Sequence, residues 1–194
     1  MRIITCLALV LTLSIASVAG AANRSDPGFV GTPAGPVAPT GGGGSCPPGV
    51  VIAGTLPFND SGNNCPFTNT ITNYGGVCGT NLPFPYPGPE TIYQINLGVG
   101  NNVAFSADLT GSTGDLVLYL LSTCGSGASC VANSQDAIGP GAGPEDIAAD
   151  SYAASQHFLY VDSYYGGADP ARCGTFALSV TGTLPVELLS FSID

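Results

Sequence analysis

The stretch Val103–Leu109, which reads VAFSADL, decides the fold class of this chain. Its odd-numbered positions are all apolar, whereas Ser106 and Asp108 occupy alternate positions between them. Successive side chains of a β-strand point to opposite faces of its sheet, so a period of two predicts a strand that is buried on one face.

Similar short segments rich in Val, Ile, Phe and Tyr recur along the chain between clusters of Asn, Gly, Asp and Ser. Glycine and proline return every few residues, so no segment favours a helix. We therefore predict an all-β fold, an antiparallel β-sandwich or jelly roll. Its clearest strands are predicted at Val50–Leu56, Thr91–Leu97, Asn102–Leu109, Asp115–Leu121, Phe158–Ser163 and Thr175–Thr181.

The amino-terminal residues have the pattern of a secretory leader. Arg2 precedes an apolar run from Ile3 to Val18, and Ala19-Gly20-Ala21 supplies the small residues of a cleavage site. We predict a signal peptide at residues 1–21, a flexible Gly/Pro/Ala-rich linker at 22–45, a folded domain at 46–182 and a strand-like tail at 183–194. No transmembrane segment is expected after removal of the leader.

Six cysteines follow the predicted leader, an even number that favours disulfide bonds in an oxidising compartment. We expect Cys124 to pair with Cys130, because a flexible segment of small residues separates them. The pairing of the other four, Cys46, Cys65, Cys78 and Cys173, is left open. Two of these bridges are expected to fasten the loop-like segment Asn63–Pro89.

Acidic residues dominate the charge of this chain. It carries 13 Asp and Glu against three Arg and no Lys, for a formal net charge of −10. Such a surface repels nucleic acid and anionic membranes, so neither is expected as a partner.

The order of the sequence features resembles a known family. The strand head Pro89–Tyr93 is followed by Gly114–Leu120 (GDLVLYL), a Cys124-Gly125 to Cys130 loop, Phe158–Tyr164 (FLYVDSY) and Cys173–Val180 (CGTFALSV). This succession resembles the bacterial pre-peptidase C-terminal domain family, in which D-V-V-Y, D-T-V-L-Y, C-G…C and Y-Y-V-V-D-G-Y elements occur in that order. The resemblance implies a secreted, non-catalytic β-sandwich module, of a kind usually appended to extracellular enzymes.

Calcium is the one cofactor that the sequence suggests. Many members of the resembling family carry paired aspartates after the second loop cysteine, where this chain keeps only Asp136. Calcium accepts six to eight oxygen ligands in loose geometry, which a group of loop carboxylates can supply. The candidate ligands are Asp136, Glu145, Asp146, Asp150 and Asp162; the alternative is that they are solvated charges.

Catalytic chemistry finds little support in the sequence. His157 is the one imidazole, and its place at the head of a strand predicts a surface histidine. Neither a G-x-S-x-G elbow nor an H-E-x-x-H motif is present. Tyr164 and Tyr165 lie in a predicted turn, where they could contact a ligand or cap the core.

Three functions follow from these observations. The first is a secreted, non-catalytic binding or adhesion module for an extracellular protein or glycan. The second is a structural subunit of a cell-surface layer or filament, assembled by β-augmentation through Leu184–Asp194. The third is a small hydrolase that would use His157 and the carboxylates of Glu145–Asp150.

Overall fold

The computed structural model describes residues 42–185, except residues 54, 82–84, 111–113 and 135–142. The predicted signal peptide, residues 22–41 of the predicted linker, residues 186–194 of the predicted tail and Asp136 lie outside the described residues.

The described residues fold into two packed β-sheets. Sheet 1 has the strand order β1-β3-β8-β5-β6, and sheet 2 has the order β2-β9-β4-β7. Neighbouring strands are antiparallel except for β1 and β3. The predicted antiparallel β-sandwich is thereby confirmed. The strands are β1 (Val51–Ile52), β2 (Phe58–Asn63), β3 (Thr91–Leu97), β4 (Asn102–Leu109), β5 (Leu116–Leu121), β6 (Cys130–Asn133), β7 (Glu145–Asp150), β8 (Ser155–Ser163) and β9 (Thr175–Thr183).

The main core lies between the two sheets and follows the period of two. Val103, Phe105 and Ala107 of β4 point inward, while Ser106 and Asp108 lie on the other face of the strand. Strand β9 pairs with β4 along its whole length and adds Phe176, Leu178 and Val180 to this core. Alternation in the sequence is therefore the direct result of one-sided burial.

Sheet 1 is buried on both faces. In β5 the side chains of Leu116, Leu118 and Leu120 join the main core, while Val117, Tyr119 and Leu121 join a second cluster on the outer face. Residues 64–81 and 85–90, which we call the covering segment, pack over that outer face with Ile71, Tyr74, Cys78 and Tyr86. The segment contains one helical turn, α1 (Cys78–Asn81). The molecule thus has a third layer in addition to the two sheets.

Three disulfide bonds hold these layers: Cys46–Cys124, Cys65–Cys173 and Cys78–Cys130. The predicted Cys124–Cys130 bridge is wrong. Cys130 begins β6, lies opposite Leu121 and is buried in the outer cluster, where Cys78 meets it. Cys124 lies in the turn before β6 and meets Cys46 of the amino-terminal segment instead. The expectation that two bridges fasten the covering segment is confirmed, through Cys65 and Cys78.

The ordered fold extends a few residues upstream of Cys46. Gly43 forms an isolated antiparallel bridge with Ile92, with Gly43 N donating to Ile92 O and Ile92 N donating to Gly43 O. Gly42 is buried beside the same strand. Residues 42–45, which the sequence assigns to the linker, therefore lie against sheet 1.

None of the helices in the described ranges is long and apolar enough to cross a bilayer.

Candidate binding surface

The candidate calcium ligands do not converge in the described part of the chain. Glu145, Asp146 and Asp150 lie on β7 in sheet 2, whereas Asp162 lies on β8 in sheet 1. Glu145 is buried opposite Ala107, while Asp146 and Asp150 are exposed. No three Asp, Glu, His or Cys side chains among the described residues form a group that could hold a metal ion. With Asp136 outside those residues, calcium binding stays a prediction.

Asp162 joins β8 to the covering segment. Its carboxylate is fully buried and accepts hydrogen bonds from the Tyr74 hydroxyl at 2.7 Å and from Ser163 N at 2.6 Å. Burial raises the pKa of Asp162 well above its usual range, and the nearby charge of Glu90 raises it further. A buried carboxylate favours its protonated form because the charged form has lost its hydration.

Glu90, the last residue of the covering segment, carries a second buried carboxylate. Its side chain accepts hydrogen bonds from Thr70 N at 3.0 Å, from the Thr70 hydroxyl and from Ile71 N at 3.3 Å. Burial raises the pKa of Glu90, and these hydrogen bonds oppose that shift. The sequence analysis did not single out Glu90; its one signal is a charged residue directly before an uncharged strand.

His157 is buried, with 1% of its surface exposed, so the predicted surface histidine is wrong. Strand β8 begins at Ser155 instead of Phe158, and alternation then places His157 on the same face as the inward-pointing Leu159. Its Nδ1 lies 3.1 Å from Ser155 O, and its ring packs 6.2 Å from the Tyr152 ring. Burial lowers the pKa of this imidazole, which favours its neutral form.

Tyr164 and Tyr165 follow β8 in an irregular connection to β9. Both side chains are partly exposed, and their rings meet edge to face at 5.0 Å. The Tyr164 ring also packs edge to face against Tyr86 of the covering segment at 5.6 Å. Tyr164 therefore packs at the edge of the outer cluster, and both rings keep part of their surface in solvent. Contact of the pair with a ligand stays a prediction.

Residues 164–172, which we call the tyrosine loop, are tied down along their length. Tyr164 N donates to Asp115 O at 3.0 Å, and Asp115 N donates to Ala171 O at 3.3 Å. The Asp169 carboxylate accepts from Ala171 N at 2.8 Å, and the next residue after the loop, Cys173, is disulfide-bonded. The loop conformation is thus fixed by its own backbone and by the bridge.

Asn64 connects this loop to the covering segment. Its fully buried side chain donates to Pro89 O at 2.9 Å and to Ser163 Oγ at 2.8 Å, and accepts from Gly174 N at 2.8 Å. Ser163 and Gly174 lie just before and just after the tyrosine loop and Cys173. One amide therefore fixes the base of the loop, a role that its sequence position does not reveal.

Comparison with solved structures shows a distant structural similarity. No family model matches this chain, and no curated protein matches it. The chain is similar to the 1.0 Å crystal structure of the pre-peptidase C-terminal domain of collagenase from Bacillus anthracis, with 17% sequence identity and a TM-score of 0.40. The match covers 68% of this chain and 93% of that structure. A likeness at this level does not make the chain a member of that family.

Proposed function

We propose that this chain is a secreted, non-catalytic binding module that contacts an extracellular protein or glycan through the tyrosine loop. The observation that carries the proposal is the partly exposed Tyr164–Tyr165 pair on a loop that is already held in place. A binding surface that is ordered before contact loses less conformational entropy when the partner arrives. Tyrosine supplies a rigid contact area with a polar end, which suits protein and sugar surfaces.

The disulfide bonds support an extracellular location. All six cysteines of the described residues are paired, and disulfides persist in oxidising compartments. The Cys65–Cys173 bridge adjoins the tyrosine loop, so the same oxidising environment that protects the fold also keeps the proposed surface ordered.

A binding screen with a matched control tests this proposal. The full chain, oxidised, is applied to arrays of glycans and extracellular matrix proteins, and any binder is titrated by calorimetry. Tyr164→Ala combined with Tyr165→Ala is expected to abolish binding. Val99→Ala is the control, because Val99 is 83% exposed in the turn after β3, at the opposite end of the sandwich. Binding that survives the double substitution contradicts the proposed surface.

Calcium remains a proposed cofactor with a test of its own. Thermal unfolding is followed with added calcium and with a chelator, since a ligand that binds only the folded state raises the melting temperature. A rise that is lost on neutralising Asp136, Glu145, Asp146 and Asp150 supports a site on this part of the chain. The absence of a rise would contradict a calcium site here and leave Asp146 and Asp150 as solvated surface charges.

A further inference from the structure

Six of the eight tyrosines form one continuous chain of ring contacts. The chain crosses the outer face of sheet 1, beneath and along the covering segment, and ends in the tyrosine loop. Its closest step is the stacked pair Tyr74–Tyr119, with ring centres 3.5 Å apart. The steps are Tyr160–Tyr74 at 6.5 Å, Tyr74–Tyr119 at 3.5 Å, Tyr119–Tyr86 at 5.4 Å, Tyr86–Tyr164 at 5.6 Å and Tyr164–Tyr165 at 5.0 Å.

The two ends of the chain differ in exposure. Tyr165 is partly exposed at one end. At the other end Tyr160 is fully buried; its hydroxyl lies 3.2 Å from Cys46 Sγ of the Cys46–Cys124 bridge and accepts a hydrogen bond from Gly125 N at 2.9 Å. An oxidant in solution therefore meets the chain first at the tyrosine loop.

The centre of the chain holds a phenol and a base. The Tyr74 hydroxyl donates to Asp162 Oδ2 at 2.7 Å, and both residues are buried. Loss of one electron makes a phenol a strong acid, so its proton passes to whatever base accepts its hydrogen bond. Here the proton needs to move only along an existing hydrogen bond. Burial also raises the pKa of Asp162, which makes its carboxylate a better proton acceptor than one in water.

We propose that the tyrosine chain is a redox relay that carries an oxidising equivalent from Tyr165 inward and stores it as a radical on Tyr74. A one-electron oxidant, such as an inorganic radical or a peroxidase intermediate, takes an electron from Tyr165. Tyr164, Tyr86, Tyr119 and Tyr74 then supply that electron in turn, and each phenol before Tyr74 is restored.

The net step is balanced at Tyr74. The oxidant gains one electron, Tyr74 becomes a neutral phenoxyl radical, and the phenol proton resides on Asp162 as a carboxylic acid. A thiol or ascorbate later returns one electron to Tyr74, and the proton returns from Asp162. The relay thereby removes the radical from Tyr165, where two copies of the protein could otherwise couple through their exposed phenols.

The test uses the full chain, oxidised by a photoexcited ruthenium sensitiser with persulfate in mildly alkaline buffer, which favours the ionised form of Asp162. Samples are frozen at intervals for electron paramagnetic resonance. The wild type is expected to give a persistent tyrosyl signal that Tyr74→Phe loses. Asp162→Asn keeps the Tyr74 ring but has no site for the proton, so the signal should decay faster. Tyr86→Phe interrupts the relay and should lose the persistent signal while increasing dityrosine-linked dimers.

A matched control separates the relay from general phenol oxidation. The Tyr93 hydroxyl donates to Asp60 Oδ2 at 3.1 Å, but its ring packs against Phe58 and not against the six-tyrosine chain. Tyr93→Phe should leave the signal and its lifetime unchanged. Equal signals in Tyr74→Phe and Tyr93→Phe overturn the proposal, and so does an unchanged yield in Tyr86→Phe. Circular dichroism and a thiol assay on each variant confirm that the folded, disulfide-bonded state is the one being compared.

Discussion

Replacement of Asn64 by alanine is expected to destabilise the protein more than its small change in volume implies. The substitution removes three buried hydrogen bonds at once and leaves Pro89 O, Ser163 Oγ and Gly174 N without this partner. A buried polar group that loses its partner costs about 1–3 kcal/mol. Three such groups, partly relieved by local relaxation, predict a loss of about 3–4 kcal/mol in the free energy of unfolding.

Urea unfolding followed by circular dichroism measures this loss through the transition midpoint and slope. Asn102→Ala is the matched control, because Asn102 is exposed on β4 and a surface substitution changes stability by about 0.5 kcal/mol or less. Asn64→Asp sharpens the test: it keeps the acceptor for Gly174 N but places a carboxylate oxygen against Pro89 O. Its stability should improve on acidification, when the protonated carboxyl regains a donor.

An Asn64→Ala variant within about 1 kcal/mol of the wild type would refute this reasoning, since that is below the cost of even one or two stranded buried groups. The same variant also reports on the proposed binding surface. If Asn64 fixes the base of the tyrosine loop, partner binding should weaken at temperatures where the variant is still folded.

Further predictions concern the bridges, the buried acids and the core. Cys124→Ser should release a free thiol at Cys46, as read by alkylation and peptide mass spectrometry; release at any other cysteine contradicts the observed pairing. Burial raises the pKa of Asp162 and Glu90 in the folded state. The free energy of unfolding is therefore greatest below the pKa of about 4 that these carboxyls have in the unfolded chain, and it falls as the pH rises through their folded-state pKa. Urea titrations at acidic and alkaline pH should show this fall, and the fall should be smaller in Asp162→Asn. An equal change in the free energy of unfolding with pH in both proteins contradicts the prediction. Leu118→Ala, at a fully buried position of β5, should cost about 2–5 kcal/mol in the same assay, and a cost under about 1 kcal/mol would mean that the two-faced burial of β5 is wrong.

The strands that were predictable from sequence are short apolar segments between turn residues. Thr91–Leu97 and Asn102–Leu109 match β3 and β4 residue for residue. In β4, burial on one side imposes a period of two on the side chains. Strand β2 was missed, since its sequence FNDSGN has the composition of a turn. It is a strand because its backbone pairs with β9 from Phe58–Val180 to Asn63–Thr175. Gly62 has no side chain at the place where the Phe176 ring packs.

The site was less predictable than the fold because its contacts join distant parts of the chain. Asn64 reaches Gly174, 110 residues away, and the Tyr74 hydroxyl reaches Asp162, 88 residues away. The spacing of residues along the sequence does not indicate contacts between such distant positions. The Cys124–Cys130 bridge was wrongly predicted for the same reason. Cys124 and Cys130 both pack at the outer cluster, but each meets a cysteine from a distant segment of the chain, Cys46 or Cys78.

The position of β9 has a consequence for how the molecule is made. In sheet 2, β9 lies between β2 and β4. These two strands therefore cannot join one sheet until residues 175–183 have been synthesised. A ribosome that has delivered residues 1–172 has delivered neither strand β9 nor Cys173, the disulfide partner of Cys65. Pairings of such long range form slowly, because the intervening chain must first be brought back on itself. Synthesis from the amino terminus therefore leaves sheet 2 open until residues 175–183 have been made, and the two-sheet sandwich closes only after that point.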